Sequence, residues 1–371
     1  MKQEVYHPAW IVLSKLLSGL LHPLWFLFSH TKYFPAIDKC KIKKIIIGEY
    51  HCIGDVILIV PALKILKKHF PDAELTLITN PDTQELAEKM KIVHEVISFQ
   101  APWVRGKITL KNWKRAIAFK KHLKKKCYNM GIDFRGDLRN LFFLWFINPT
   151  IRIGFTATGG KFLLTHPLIY PFQLHEQERA FFLLKKIGLQ FSKTISPIIL
   201  PKPKDSRSSR IIIHPGANHP ERKWPVNHWI ALIRLLIKSH NITLIHTEDV
   251  QNDTRTILSN YPDLEVFNGS LLDFGGWLQN QKLLIGMDSM AVHLSSLLGV
   301  PALAIFGSQN PNLTGPYGKI GHTIKPEKFC LHKRKNWRLC SQCLESVNPE
   351  SVYQKIVNIL DKSCQLIGNL N

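Results

Sequence analysis

Acidic residues are scarce in this chain: 27 Asp and Glu stand against 49 Lys and Arg in 371 residues, a formal charge of +22. Such a protein attracts polyanions, whether nucleic acid, an anionic membrane face or phosphorylated substrates, and charge alone does not choose among them. Other absences narrow the field. No aromatic-rich RNA-binding signature accompanies the basic residues, which are dispersed along the chain. No repeat of solenoid period and no low-complexity tract occurs. No cleavable signal sequence is evident, and the seven cysteines are scattered apart from one late group, so a reducing compartment is expected rather than a disulfide scaffold. Residues 8–31 are strongly apolar, but Lys15 and the His22-Pro23 pair interrupt them, which counts against a clean transmembrane span.

What the chain does have is room for two cores of ordinary size, with 45% hydrophobic content. Trp10 and Trp25 near the ends of the apolar segment suit a bilayer interface, and Lys39, Lys41, Lys43 and Lys44 suit anionic head groups. Residues 1–40 are therefore read as an extension lying on a membrane surface, with a packed helix and a true span or uncleaved signal as alternatives. Beyond it, apolar runs alternate with helical spacing. Ile42 to Ile47, Leu75 to Thr79, Glu95 to Ile97, Met130 to Phe134 and Ile151 to Phe155 read as strands, and Val56 to Phe70, Trp113 to Lys126 and His175 to Gly188 as helices. Residues 196–210, rich in Pro, Ser and charge, read as a linker. Strands Ile211 to His214, Ile242 to His246, Leu283 to Ile285 and Ala302 to Phe306 follow, with helices Pro225 to Ser239 and Asp249 to Asn260. Continuous apolar strands separated by helices imply parallel sheets. The expected domains are 41–200 and 201–348, with 349–371 a helix that returns to the first.

In open α/β sheets ligands bind beyond the carboxyl ends of the strands. Gly54-Asp55 lies at such an end; a carboxylate there fits a general base, or an acid that merely stabilises a helix N-terminus. The loop His214-Pro-Gly-Ala-Asn-His-Pro-Glu-Arg-Lys-Trp-Pro225 carries Asn218, Arg222 and Lys223, where a Lys or Arg can neutralise a departing diphosphate or simply be solvated. Glu248 follows another strand, placed to accept from ribose hydroxyls or to cap a helix. Asp288, Ser289 and His293 occupy a strand end and the next helical turns, where free backbone N–H groups favour phosphate; a capped helix with a packed histidine is the plain alternative. The convergence of these three loops on one sheet edge favours a shared role. Arg135, Arg139 and Arg179 are read as holders of acidic acceptor groups or as ordinary surface arginines. Cys330, Cys340 and Cys343, with His332 nearby, contain one C-x-x-C pair and no second, so they are read as structural thiols ahead of zinc ligands.

These motifs carry a resemblance. Ile46-Ile-Gly-Glu-Tyr-His-Cys-Ile-Gly-Asp-Val56 with Pro61-Ala-Leu-Lys64, His214-Pro-Gly-Ala217 with Arg222-Lys-Trp-Pro225, and Asp288-Ser-Met-Ala-Val-His293 with Gly299-Val-Pro301 and Phe306-Gly307 resemble glycosyltransferase family 9, the lipopolysaccharide heptosyltransferases, in order and spacing. The resemblance implies an α/β fold of GT-B architecture: two Rossmann-like, doubly wound domains facing a cleft, with acceptor on the first and sugar nucleotide on the second. It also implies an inverting transfer of heptose from ADP-heptose to an inner-core sugar of lipopolysaccharide, with no metal and no cofactor. Carried over by position, Asp55 deprotonates the acceptor hydroxyl and Lys223, helped by Asn218, stabilises the diphosphate. Glu248 holds the ribose, and Gly54, Asp288, Ser289, Met290 and His293 complete the donor-binding set. Met290 stands where the family often has Gly, so a Cβ and a thioether crowd the place where backbone meets diphosphate. The expected partners are a nucleotide sugar, a lipopolysaccharide core acceptor and an anionic membrane surface, not nucleic acid. The expected location is cytoplasmic, peripheral on the inner face of the bacterial inner membrane. A GT-B enzyme using another nucleotide sugar, a sugar-nucleotide epimerase, and a non-catalytic basic protein binding nucleic acid or membrane are the alternatives.

Overall fold

The computed structural model describes residues 6–28, 34, 36–104, 109–193, 196–201, 209–328, 330–332 and 339–368. The chain divides into two compact units, 1–194 and 195–371. In the first, β1 (Lys44–Glu49), β2 (Glu74–Thr79), β3 (Glu95–Ser98), β4 (Met130–Asp133), β5 (Ile151–Phe155) and β6 (His166–Leu168) form one sheet, ordered β3-β2-β1-β4-β5-β6. All its pairings are parallel. Ile45, Ile46 and Ile47 are at most 1% exposed, so β1 is covered on both faces, as a parallel sheet between helices requires. The chain winds outward from β1 to β3 and then returns to lay β4 on the other side of β1. That reversal is a topological switch point, where the carboxyl-terminal loops of the two strands diverge and leave a crevice.

The second unit repeats the arrangement. Its strands are β7 (Ile211–His214), β8 (Ile242–Ile245), β9 (Glu265–Phe267), β10 (Leu283–Met287), β11 (Ala302–Ile305) and β12 (Gly321–Ile324), ordered β12-β11-β10-β7-β8-β9, again all parallel. The switch point falls between β7 and β10. Trp229, Leu232, Ile233 and Leu236 of the helix Val226–Leu236 share a core with Val352, Ile356, Ile359 and Leu360 of the helix Pro349–Gly368. The sequence reading returns this last helix to the first domain; in the second unit its spaced apolar positions pack against the stripe of Val226–Leu236, and burying both stripes together offsets the cost of ordering them. The domain boundary also moves from 200/201 to 194/195. Ile198 donates its N–H to the Leu297 carbonyl (3.1 Å), and Leu200 exchanges hydrogen bonds with the Gln279 amide, at 2.9 and 3.0 Å. Of the expected linker, residues 202–208 lie outside the described residues.

The amino-terminal helix Pro8–Phe28 runs through His22-Pro23, which the sequence reading takes as a break. Pro23 removes one intrahelical hydrogen bond, to the carbonyl of Gly19, and the other turns tolerate the loss. One face packs on the first unit: Ser14 is buried, Ser18 Oγ accepts from the Gly160 N–H at 2.9 Å, and His22 sets its edge on Phe162. Val12, Leu13, Leu16, Leu17, Leu20 and Leu21 lie on the other face, exposed. Among the described residues no helix is long and apolar enough to cross a membrane; residues 29–31 of the apolar segment lie outside them, as does the side chain of Trp25.

Candidate active site

At the first switch point, the turn after β4 aims Arg135 back over β1. Asp133 Oδ1 accepts from the backbone N–H groups of Arg135, at 3.1 Å, and Gly136. Gly136 has φ of 74°, and a Cβ there would meet the Phe155 carbonyl oxygen at 2.7 Å, so only glycine makes this turn. Arg135 then forms ion pairs with Asp55, through Nη2 and Oδ2, and with Glu49, at 3.4 Å from Nε to Oε1. Asp55 is the third residue of the helix Ile53–His69, and the same Oδ2 accepts from the Cys52 N–H at 3.1 Å. One carboxylate oxygen is thus pinned from two sides while the side chain stays 21% exposed. Gly54 is the helical residue before it, half-buried. Burial pushes the Asp55 carboxyl above its ordinary range against the opposing pull of Arg135, and Glu49 is raised for the same reason. Asp133 is raised to about 7, chiefly by burial. A carboxylate made more basic than usual, yet held in place and reachable, is suited to take a proton from a hydroxyl.

The other two arginines have structural partners. Arg139 makes a two-point contact with Asp137, at 2.9 and 2.6 Å, donates to the Trp103 carbonyl and covers the Trp10 ring. Arg179 is 1% exposed, so it is not a surface arginine. Its nitrogens reach the Tyr170 hydroxyl (2.6 Å), the Pro171 and Phe172 carbonyls (3.2 Å each) and Glu176 (2.6 Å).

At the second switch point, Arg222 Nη1 lies 3.5 Å from Asp288 Oδ2, joining the loop after β7 to the loop after β10. Arg222 is one of the two cations expected in that loop, although the resemblance gives the diphosphate role to Lys223. Its Nε and the Ser289 Oγ are buried polar atoms with no hydrogen-bond partner among the described residues. Ser289 is the N-cap of the helix Met290–Leu297, yet its side chain does not close on that helix, so the hydroxyl and the free N–H groups of the helix start lie together just after β10. Met290 is the first helical residue, with right-handed backbone, so replacing glycine there strains nothing in the chain. His293 is buried one turn further on. Lys223 Nζ lies 3.6 Å from Asp253, Asn218 is exposed, and Glu248 is exposed at the start of a short turn after β8, the neighbour of β7. Two crevices each bridged by an ion pair, one with an activated carboxylate and one with unfilled anion donors, suit proton removal and phosphate binding respectively.

The profile of glycosyltransferase family 9 (heptosyltransferase) matches residues 116–340. The chain belongs to glycosyltransferase family 9. Like its family, it is a glycosyltransferase with a two-domain α/β fold of the GT-B kind. It is 21% identical to lipopolysaccharide heptosyltransferase 1 of Pseudomonas aeruginosa, over 74% of this chain and 82% of that one. It is 24% identical to lipooligosaccharide heptosyltransferase 2 of Campylobacter jejuni, over 84% and 96%. Among solved structures, the Escherichia coli ADP-heptose lipopolysaccharide heptosyltransferase II superposes with a TM-score of 0.69 at 17% identity, covering 87% of this chain and 99% of that one. The Escherichia coli heptosyltransferase solved with ADP gives 0.68 at 18% identity, covering 85% and 99%.

Proposed function

We propose that this member of the family transfers heptose from ADP-heptose to an inner-core sugar of lipopolysaccharide, with inversion and without a metal in the chemical step. The observation that carries the reading is Asp55, with Oδ2 pinned by Arg135 and the Cys52 N–H and the carboxylate still open to solvent. The carboxylate takes the acceptor hydroxyl's proton, and the freed oxygen attacks the anomeric carbon from the face opposite the diphosphate. The anomeric carbon–oxygen bond breaks with its electron pair going to ADP. Lys223, Arg222, Ser289 and the N–H groups of the helix Met290–Leu297 stabilise the charge that gathers there; Asn218, Asp288 and His293 shape the same loops, and Glu248 holds the ribose. Incubation with a panel of nucleotide sugars and defined inner-core acceptors, followed by analysis of the product linkage, tests the reading. A product whose anomeric configuration is inverted relative to the donor is not enough by itself; turnover must also be highest with ADP-heptose.

A peripheral membrane location accompanies this reading. The exposed apolar face of Pro8–Phe28 supports it, as does the helix Leu110–Lys124 in the same unit, which exposes Lys111, Lys114 and Arg115 beside Trp113 and Ile117. An apolar face flanked by cations is the pattern of a helix lying in the head-group layer of an anionic bilayer. A lipid-linked acceptor in the cytoplasmic leaflet would then be presented where the enzyme is concentrated.

A further inference from the structure

Cys330, His332, Cys340 and Cys343, outside the candidate active site, bring one ligand atom each to within 4.8 Å of all the others. The His332 Nδ1 lies 3.8, 3.5 and 3.6 Å from the sulfurs of Cys330, Cys340 and Cys343. A single imidazole nitrogen offers either one proton or one lone pair, so it cannot hydrogen-bond to three thiols at once. The arrangement has another explanation. With metal–sulfur bonds of about 2.3 Å and a metal–nitrogen bond of about 2.0–2.1 Å, a tetrahedral zinc site puts its nitrogen about 3.5–3.6 Å from each sulfur. The three separations cluster around that edge length.

We propose that Cys330, His332, Cys340 and Cys343 bind one structural zinc ion. Three soft sulfurs and one imidazole are the donor set that selects zinc, and four protein ligands leave no open position for chemistry. The ligands come as two pairs, Cys330-x-His332 after β12 and Cys340-x-x-Cys343 at the helix Ser341–Glu345. Burial and the neighbouring Cys330 and Cys340 thiols push the Cys343 thiol up; a divalent cation at the centre reverses that, since thiolates are the ligand form. The ion would anchor a segment that the active site leans on. Helix Ser341–Glu345 packs against the turn Pro220–Arg222, Leu344 lies in the second unit's core, and Trp224 donates to the Val347 carbonyl at 3.0 Å.

The test is the metal content of the full chain, purified under reducing conditions without added chelator and measured by inductively coupled plasma mass spectrometry. About one zinc per chain is expected, falling to less than about a tenth in Cys340→Ser and Cys343→Ser and unchanged in Cys40→Ser, which alters an exposed cysteine elsewhere. Replacing the ion of the wild-type chain with cobalt(II) should give the intense visible bands of a tetrahedral thiolate site, a readout that needs no variant to fold. Chelation should lower the melting temperature by about 5 °C or more. Zinc-free protein that gives no tetrahedral cobalt spectrum, a disulfide between two of these cysteines in freshly prepared protein, or stoichiometric iron in place of zinc would each overturn the proposal.

Discussion

The outward face of the helix Pro8–Phe28 yields a prediction whose size follows from exposure. Leu13, Leu16 and Leu20 are 51%, 61% and 70% exposed, so replacing all three with Ser removes apolar surface without opening a core. Full burial of a leucine is worth about 1.5–3 kcal/mol. With half to two-thirds of each side chain available, each contributes about 1 kcal/mol on entering the head-group layer. The triple variant therefore loses about 3 kcal/mol of partition free energy, a factor of about 100 at 1.4 kcal/mol per tenfold. Co-sedimentation with vesicles rich in phosphatidylglycerol measures it, and neutral phosphatidylcholine vesicles report the share owed to cations. Added salt should weaken binding to the anionic vesicles and leave the leucine term in place. The melting temperature should fall by no more than about 5 °C, because three exposed substitutions at no more than about 0.5 kcal/mol each change stability by about 1.5 kcal/mol at most. Unchanged vesicle binding would refute the reasoning. So would a large fall in melting temperature, which would mean that the leucines pack against protein.

Other consequences follow from the ion pairs. Arg135→Met removes the cation that opposes the burial of Asp55 and Glu49, so the Asp55 carboxyl rises further; the acidic limb of the kcat/KM profile should move to higher pH, and an unmoved limb would separate Arg135 from the base. Asp133, raised from 3.8 to about 7 in the fold, stabilises the protonated folded state. Its contribution is fully present below pH 3.8 and is lost as pH rises to about 7, by at most about 4 kcal/mol at about 1.4 kcal/mol per pH unit. Asp133→Asn should accordingly flatten the dependence of urea-unfolding stability on pH between 4 and 7, and an identical slope in wild type and variant would contradict this. Arg222→Ala takes away a charged donor beside Asp288 and should weaken ADP binding about tenfold or more by calorimetry, against no change if the residue serves only the loop.

Most of the architecture is legible from the sequence because buried parallel strands announce themselves as unbroken apolar runs: Ile45-Ile-Ile47 and Ile211-Ile-Ile213 are hard to read otherwise. The elements passed over are of two kinds. β6, β9 and β12 are edge or near-edge strands of three or four residues, with polar residues such as His166, Glu265 and His322, and their pairing comes from the neighbour rather than from a local pattern. The helices Pro81–Lys89 and Leu138–Ile147 do carry signals. Asn80 accepts from the Thr83 N–H ahead of Pro81, and Asp137 accepts from the Arg139 N–H, the usual marks of a helix start. The candidate site was legible as loops at strand ends. The pairing of Asp55 with Arg135 and of Arg222 with Asp288 was not, because it depends on β4 lying beside β1 and β10 beside β7, a reversal in strand order that no single stretch records. The four candidate zinc ligands were visible in sequence but read as structural thiols, because one C-x-x-C pair without a second is a weak signal, and the closeness of all four comes only from the fold.

The central claim rests on Asp55 as the base, and the rate of heptose transfer by Asp55→Asn tests it most directly. Asn keeps an oxygen that can accept from the Cys52 N–H but takes up no proton. With ADP-heptose and an inner-core acceptor at saturation, kcat should fall by about 10²–10⁴, while ADP affinity stays within about twofold of wild type. Turnover at the wild-type rate would contradict the account.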